Sequence, residues 1–278
     1  MDGVKVEKAY KALEVSGLHV HVKSKQGMTP LVRNVHFEME RGSVLGLVGE
    51  SGCGKSVTCN ALLRLLDPRQ TSIEGSVKLN GRELSGLHEE EMRQIRGKEI
   101  GLIMQNPMSA FTPVYRIGDA FAETIRTHTR LTKKQALELA VSSMEAVNLP
   151  NPASLLNKYP FQLSGGMLQR VMIAICMSLR PAVVIADEPT TALDVVNQLG
   201  VLKELDRLRV EHGTAILLIS HDLGVISELA DEVAVMQHGE IVERADVFQL
   251  FDHPKHPYTQ KLLHARPKLI RNEPKDNR

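Results

Sequence analysis

The residues from Gly49 to Ser56, GESGCGKS, follow the spacing G-x-x-x-x-G-K-[ST]. Glycines at these positions let the backbone curl until its N–H groups face a phosphate. Lys55 can then reach the outer phosphate oxygens, and the Ser56 hydroxyl can bind Mg²⁺. Cys53 occupies a free position of the pattern and is interpreted as a spacer. The predicted ATP-binding residues of this phosphate loop are Gly49, Glu50, Ser51, Gly52, Cys53, Gly54, Lys55 and Ser56.

Two adjacent carboxylates, Asp187 and Glu188, follow the apolar run AVVIA. Asp187 is placed to hold Mg²⁺, directly or through water. Glu188 can polarise an attacking water as a general base. An acidic pair at a strand end can also be merely solvated, but beside a phosphate loop the pair predicts nucleotide hydrolysis.

Gln105 and His221 also come directly after apolar runs. Either residue alone would be interpreted as an ordinary polar residue at a strand end. Together with a phosphate loop, Gln105 can contact both Mg²⁺ and the attacking water, and His221 can hydrogen-bond the γ-phosphate and orient the base. The predicted catalytic residues are Glu188, His221 and Gln105. The predicted metal ligands are Ser56, Gln105 and Asp187.

These groups need a scaffold that brings four chain segments to one place. Four short apolar runs precede them and are typical of buried strands in a mostly parallel sheet: Val44–Val48, Ile100–Met104, Ala182–Ala186 and Ala215–Ser220. Helical patterns separate the runs. In open α/β sheets, ligands bind beyond the carboxyl ends of the strands. A strand before the phosphate loop and a helix after it also argue against an accidental glycine-rich turn.

A second glycine motif, LSGGM (Leu163–Met167, here called the signature), opens the apolar helical run VMIAICMSL. Ser164 predicts a helix N-cap, with the two glycines forming a tight turn. A helix N-terminus can also grip a phosphate. The motif has no lysine to reach the outer phosphates, so it is not a second complete phosphate loop.

Composition excludes several classes of protein. Lys and Arg number 34 and Asp and Glu number 33, so the net charge of +1 gives no electrostatic case for nucleic acid as a partner. No apolar run approaches the ~20 residues that cross a bilayer, and the N-terminus lacks the apolar segment of a secretory signal. The three cysteines form no disulfide or metal framework. We expect a cytoplasmic protein.

The order of motifs, namely phosphate loop, Gln105, LSGGM, ADEP, TALD and His221, resembles the ATP-binding-cassette (ABC) ATPases from about Val15 to Leu263. The resemblance implies two cassettes that meet head to tail, with each ATP held between the phosphate loop of one and the signature of the other. The residues that would act in trans are Ser164, Gly165, Gly166, Met167 and, in the TALD segment, Asp194.

Two positions depart from the family pattern. Met167 replaces the usual Gln of the signature. Val22 stands where the family has an aromatic residue that stacks on adenine, so His19 or His21 could stack instead, or adenine could be held loosely. His19 and His21 share a strand face. The pair could bind a metal, although an exposed sheet face is the simpler reading.

The resemblance also implies the architecture. Residues 1–278 would form a single ABC ATPase domain of the P-loop NTPase class, with an α/β, RecA-like, mostly parallel core. Residues 15–105 and 171–263 would form the nucleotide-binding core with a small antiparallel β subdomain. Residues 106–170 would form an inserted α-helical subdomain that ends in the signature, and residues 264–278 a polar tail. Within the inserted subdomain, the stretches AFAETIRTH, TKKQALELAVSSMEAVNL and ASLLNKYPFQ are predicted to be helical.

Several motifs resemble one branch of the family, the peptide and nickel importers: SGGMLQRVMIA, DEPTTALDV, HPYT and MQNPMSAF. MQNPMSAF with LSGGMLQR is most similar to the D-type nickel import subunits. The branch implies a second, different ATPase subunit, two transmembrane permease subunits, an extracellular solute-binding protein, and a peripheral location on the cytoplasmic face of the membrane.

Other readings stay open. A di- or oligopeptide importer of the same branch is the alternative, although such relatives tend to read MQDPM followed by a different pair and often carry a cysteine-bearing C-terminal extension. A soluble, non-transport ABC ATPase usually carries a long coiled-coil insertion or two cassettes in one chain, and this sequence shows neither, so this alternative is less favoured. A P-loop kinase would have no use for LSGGM, and a scaffold that binds ATP without turnover would not need Glu188 and His221.

Overall fold

The computed structural model of the chain describes residues 11–25, 27–191 and 193–264. The strands are β1 (Lys11–Ser24), β2 (Gly27–Glu40), β3 (Val44–Val48), β4 (Thr71–Leu79), β5 (Arg82–Glu83), β6 (Ile100–Ile103), β7 (Val183–Asp187), β8 (Ala215–Ile219), β9 (Glu232–Gln237) and β10 (Glu240–Asp246). The predicted polar tail lies outside the described residues except for His264.

The α-helices lie mostly between strands of the core. They are α1 (Lys55–Leu62), α2 (Glu89–Ile95), α3 (Ile117–His128), α4 (Lys133–Ala146), α5 (Pro152–Leu155), α6 (Gly165–Leu179), α7 (Val195–His212), α8 (Leu223–Leu229), α9 (Val247–Asp252) and α10 (Pro257–His264). Within the described residues, no helix combines the length and the apolar character that crossing a membrane requires.

The central sheet has six strands in the order β10-β9-β3-β8-β7-β6. All neighbouring pairs are parallel except β9 and β10. The four predicted apolar runs are strands β3, β6, β7 and β8, each within one residue of the predicted ends. Because β8 lies between β3 and β7, the segments that follow these three strands meet at one edge of the sheet.

A second, antiparallel sheet has the order β2-β1-β4-β5. The rings of His19 and His21 stack on β1, with centroids 6.3 Å apart and planes 4° from parallel. Both residues are half-buried rather than exposed as the sequence suggested. The two sheets and the helices inserted after β6 confirm the predicted α/β class.

The inserted segment between β6 and β7 differs from prediction in one place. Helices α3, α4 and α6 form as expected, and α3 and α6 both pack on α4. The stretch ASLLNKYPFQ was predicted to be helical, and this was wrong: it holds the end of the single turn α5 and a 3₁₀ turn at Pro160–Gln162. A proline disfavours helical backbone in the residue before it, and Tyr159 is extended, with φ −89° and ψ 155°.

Strand β3 joins the two halves of the core. Val44 and Val48 pack in a cluster that includes residues of α3, α4 and α6. Leu45 and Leu47 point the other way, into a cluster that includes the antiparallel sheet. This alternation along one strand is expected of a strand buried on both faces. The residues after β3 therefore start from a backbone held on both sides.

Strand β6 and helix α6 approach each other closely at Gly101 and Cys176. A Cβ atom placed on Gly101 would lie 2.3 Å from the Cys176 Sγ. Burial raises the pKa of Cys176 to about 12, so the thiol is neutral and acts as a packing group. All three cysteines, Cys53, Cys59 and Cys176, are buried and free of disulfides.

Candidate active site

The phosphate loop connects β3 to α1 through glycines in left-handed or related backbone. Gly49 has φ 154° and Gly54 has φ 114°. A Cβ atom at Gly49 would lie 2.2 Å from the backbone oxygen of Met236 on β9, so no larger residue fits there without a shift. Helix α1 then begins at Lys55, and its first backbone N–H groups have no partners within the helix. These amides and the helix dipole favour an anion at this point.

Lys55 is buried inside the loop, with 8% of its surface exposed. Its Nζ donates to the backbone oxygens of Gly49, at 2.7 Å, and Glu50, at 3.0 Å. The same Nζ lies 3.7 Å from the Cys53 Sγ, so Cys53 packs within the loop. No ion pair engages this ammonium group in the part of the chain that the structure describes. A buried cation held only by neutral groups is available to a phosphate.

Asp187 ends β7, and its Oδ1 is buried without a hydrogen-bond partner among the described residues. Burial raises the pKa of Asp187, although the Ser56 hydroxyl bonds the carboxylate and Lys55 is near. An unpartnered carboxylate oxygen beside a hydroxyl fits Mg²⁺, which prefers oxygen ligands. Gln105 borders the same space and adds an amide oxygen. These residues therefore suit the ion that the sequence predicted for them.

Glu188 is held by three groups. Its carboxylate accepts from the backbone N–H of His221 at 3.0 Å and from the Thr191 hydroxyl at 2.9 Å. The His221 Nδ1 lies 2.8 Å from Oε2. Glu188 also has φ 51°, a left-handed backbone that is uncommon for residues other than glycine. Such a conformation persists only where the surroundings fix it, so the carboxylate has a defined position.

One cavity of about 440 Å³ brings these segments together. The residues that line it are Leu31, Ser51, Gly52, Gly54, Lys55, Ser56, Val57, Gln105, Asp187, Glu188 and His221. Val22 is not among them. It is half-buried on β1, opposite Thr29 and Thr71, and Leu31 of β2 reaches the cavity instead. The role predicted for Val22 at adenine stays a prediction.

The signature lies apart from this cavity. The Ser164 Oγ accepts from the Met167 N–H at 3.3 Å, which is the predicted N-cap of α6. Apart from its chain neighbours and its own helix backbone, no described atom lies within 4 Å of a Cβ placed on Gly165. The Met167 side chain packs partly against the core, so its apolar character is explained by its neighbours.

Asp194 lies next to the signature. It caps α7 by accepting from the Asn197 N–H at 2.9 Å. A Cβ atom at Gly166 would lie 3.6 Å from both Leu193 and Asn197. The structure therefore brings the two segments predicted to act in trans to one surface, and it separates them from the chain's own cavity.

Two residues near the phosphate loop were not predicted to act at the site. Leu31 offers no sequence signal, since it is an ordinary strand residue. Tyr258 lies in the HPYT motif, which the sequence marked only as typical of a branch. Its hydroxyl accepts from the Glu50 N–H at 3.0 Å, and burial raises the pKa of Tyr258, so it is neutral at physiological pH.

A phosphate loop between a strand and a helix, with a carboxylate pair at the end of a nearby parallel strand, defines a P-loop nucleoside triphosphatase. The family model described as ABC transporter matches residues 32–191. The chain belongs to the ABC transporter family, and it is an ATP-binding cassette ATPase.

Its relatives include import proteins. It is 44% identical over 262 residues to the probable peptide ABC transporter ATP-binding protein y4tR of Sinorhizobium fredii, an alignment that covers 94% of this chain and 78% of that protein. It is 45% identical over 263 residues to the glutathione import ATP-binding protein GsiA of Salmonella choleraesuis. That match covers 92% of this chain but only 42% of GsiA, so this chain spans less than half of that relative.

The fold is similar to that of solved cassettes. A dimeric, post-hydrolysis structure of the ATP-binding cassette MJ0796 bound to ADP and Pi matches with a TM-score of 0.76. The match covers 84% of this chain and 98% of that one, at 24% sequence identity. At this identity the likeness concerns the fold alone.

Proposed function

We propose that this chain hydrolyses ATP to drive import of a peptide or a small peptide-like solute across the cytoplasmic membrane. The observation that carries the proposal is the convergence of Lys55, Asp187, Glu188 and His221 on one cavity. The cargo class rests on the relatives, whose names refer to peptide and glutathione import.

The proposed mechanism assigns each group a task that its geometry supports. The amides at the start of α1 and the Lys55 ammonium bind the phosphates of ATP. Ser56, Gln105 and Asp187 would hold Mg²⁺, which would neutralise charge on the phosphates. Glu188 takes the proton of the attacking water. His221 orients Glu188 through the 2.8 Å contact.

We further propose that a second cassette completes each site. Gly165 is exposed, and the residues that line the chain's own cavity do not include the signature, which supports an action in trans. Residues 106–170 would dock on a transmembrane permease, and two permease subunits and an extracellular solute-binding protein would complete the importer. The second cassette would be a different chain, as is usual for the branch that the motifs resemble.

Nickel is the second candidate cargo. MQNPMSAF followed by LSGGMLQR favours it, but no relative described above is named for nickel. Cassette residues do not contact the cargo, so the motif is indirect. The peptide class is the better supported proposal.

Transport by the assembled complex tests the function. The chain is co-expressed with the permease and binding-protein genes encoded beside it, and the complex is reconstituted in vesicles. ATP-dependent uptake of a labelled dipeptide mixture, glutathione and nickel is then compared, with Glu188→Gln as the inactive control. Uptake of nickel alone would contradict the peptide proposal, and the absence of ATP turnover in the complex would contradict the assignment of the cavity.

A further inference from the structure

The segment that carries the HPYT motif is anchored to the central sheet. Glu243 on β10 accepts from the backbone N–H groups of Lys255, at 2.7 Å, and His256, at 2.9 Å. The Tyr258 N–H donates to the His256 Nδ1 at 3.2 Å. Pro257 then opens α10, a position where a missing N–H has no cost. The start of α10 is therefore fixed relative to β10 and not free to swing.

Tyr258 extends from this anchored segment to the phosphate loop. Its side chain is buried, with 7% of the residue exposed, and its hydroxyl accepts from the Glu50 N–H at 3.0 Å. The two residues are 208 positions apart in the chain. This hydrogen bond connects α10, the last described helix, to the start of the phosphate loop.

The bonded N–H belongs to the same peptide group as the backbone oxygen of Gly49. That oxygen accepts from the Lys55 Nζ at 2.7 Å. One rigid plane therefore connects the Tyr258 hydroxyl on one side to the Lys55 ammonium on the other. Rotation of this plane would move one of the two backbone oxygens that hold the Lys55 Nζ, the closer one. The Gly49 conformation, with φ 154°, does not itself prevent rotation, since glycine has wide backbone freedom.

We propose that Tyr258 is a positioning residue of the ATP site, which holds the Gly49–Glu50 peptide and through it the resting position of Lys55. The inference rests on the proposed role of the phosphate loop. Tyr258 fixes the loop before ATP arrives, so less ordering is needed on binding. Bound phosphates would themselves hold the loop later, so the effect falls on ATP binding rather than on the chemical step.

The test removes only the hydroxyl, with Tyr258→Phe in the full chain. The expected result is an affinity for ATP about two- to tenfold weaker, the scale of one hydrogen bond. In the assembled transporter, KM for ATP should rise by the same factor while kcat changes less than about twofold. Tyr115→Phe is the matched control for binding by the isolated chain, because Tyr115 is 54% exposed and away from the loop.

Amide hydrogen exchange separates positioning from general packing. In nucleotide-free Tyr258→Phe, exchange should rise in the peptide that contains Glu50 and stay unchanged in the central strands. An unchanged affinity, or faster exchange spread over the whole sheet, would overturn the positioning role. Lys55→Ala is measured in parallel: unchanged binding there would overturn the phosphate site itself, whereas weak binding there with normal binding by Tyr258→Phe would overturn only the inference about Tyr258.

Discussion

The phosphate loop and the signature both place glycines at the start of a helix, yet their surroundings are opposite. A Cβ atom at Gly49 would collide with the backbone of Met236, whereas the same addition at Gly165 would meet no other described segment within 4 Å. Lys55 is buried within the first loop. In the second, the Ser164 hydroxyl accepts from the Met167 N–H of its own helix start.

This contrast indicates that a helix N-terminus becomes a catalytic site only when other segments surround it. Around the phosphate loop, β6, β7 and β8 supply Gln105, Asp187, Glu188 and His221. Around the signature, the same chain supplies the neighbouring helix cap at Asp194. The first region has the residue types that a hydrolytic site needs, and we propose that the second offers donors to a ligand bound by another cassette.

The largest expected effect comes from Glu188→Gln. The change removes the proposed base and keeps the size of the side chain, so ATP turnover should fall about 10²–10⁴-fold while ATP remains bound. Steady-state phosphate release and nucleotide retention measure the two effects. Glu228→Gln on exposed α8 is the matched control. Wild-type turnover in Glu188→Gln would remove Glu188 from the mechanism.

Lys55→Ala should act on binding instead. Loss of a charge-assisted contact to phosphate is expected to weaken ATP affinity about 10- to 150-fold. Equilibrium titration of the isolated chain measures it, since the phosphate loop is the chain's own. If affinity stays at the wild-type value, the cavity beside the phosphate loop is not the one that binds ATP.

Ser164→Arg tests the signature, whereas Lys55→Ala tests the phosphate loop. ATP binding by the isolated chain should be unchanged, because Ser164 does not border its cavity. In the assembled complex, crowding at a packed interface should lower turnover about tenfold. Ser227→Arg, at an exposed position of α8 outside residues 106–170, is the control for added charge.

Nucleotide trapping by each subunit shows which site Ser164→Arg affects. Photolabelling should show less trapping on the partner cassette and normal trapping on this chain. Loss of trapping on this chain alone would mean that the signature acts in cis.

The smallest effect is expected at Val22. An aromatic ring at this position should add a stacking surface for adenine and tighten ATP binding at least about fivefold. Competition between ATP and GTP in Val22→Tyr measures the gain in base selectivity. Because Leu31 rather than Val22 lines the cavity, an unchanged affinity would indicate that the base lies nearer to β2.

The sequence predicted the scaffold well because its signals are local. Buried parallel strands appear in a sequence as apolar runs, and the ends of each of the four strands lie within one residue of the predicted ends. Ser164 caps its helix as predicted. The helix predicted for ASLLNKYPFQ was wrong because its apolar spacing resembled that of a helix, while Pro160 favours extended backbone at Tyr159.

Contacts between segments distant in the chain could not be predicted from such local signals. Nothing in the spacing of HPYT indicates that Tyr258 reaches Glu50, since the contact depends on how β10 and α10 return to the loop. The pairing of Glu188 with His221 likewise needed the order of β7 and β8 in the sheet. Residue types predicted the chemistry, and only the topology brought the partners together.

The close approach of Gly101 and Cys176 also bears on how the family can diverge. The space between β6 and α6 accommodates one side chain, and here Cys176 fills it. Relatives in which position 101 carries alanine or a larger residue should therefore have glycine or alanine at position 176. Relatives in which position 101 is glycine should have a larger residue at position 176. The two positions are expected to covary, although they lie 75 residues apart and neither borders the ATP cavity.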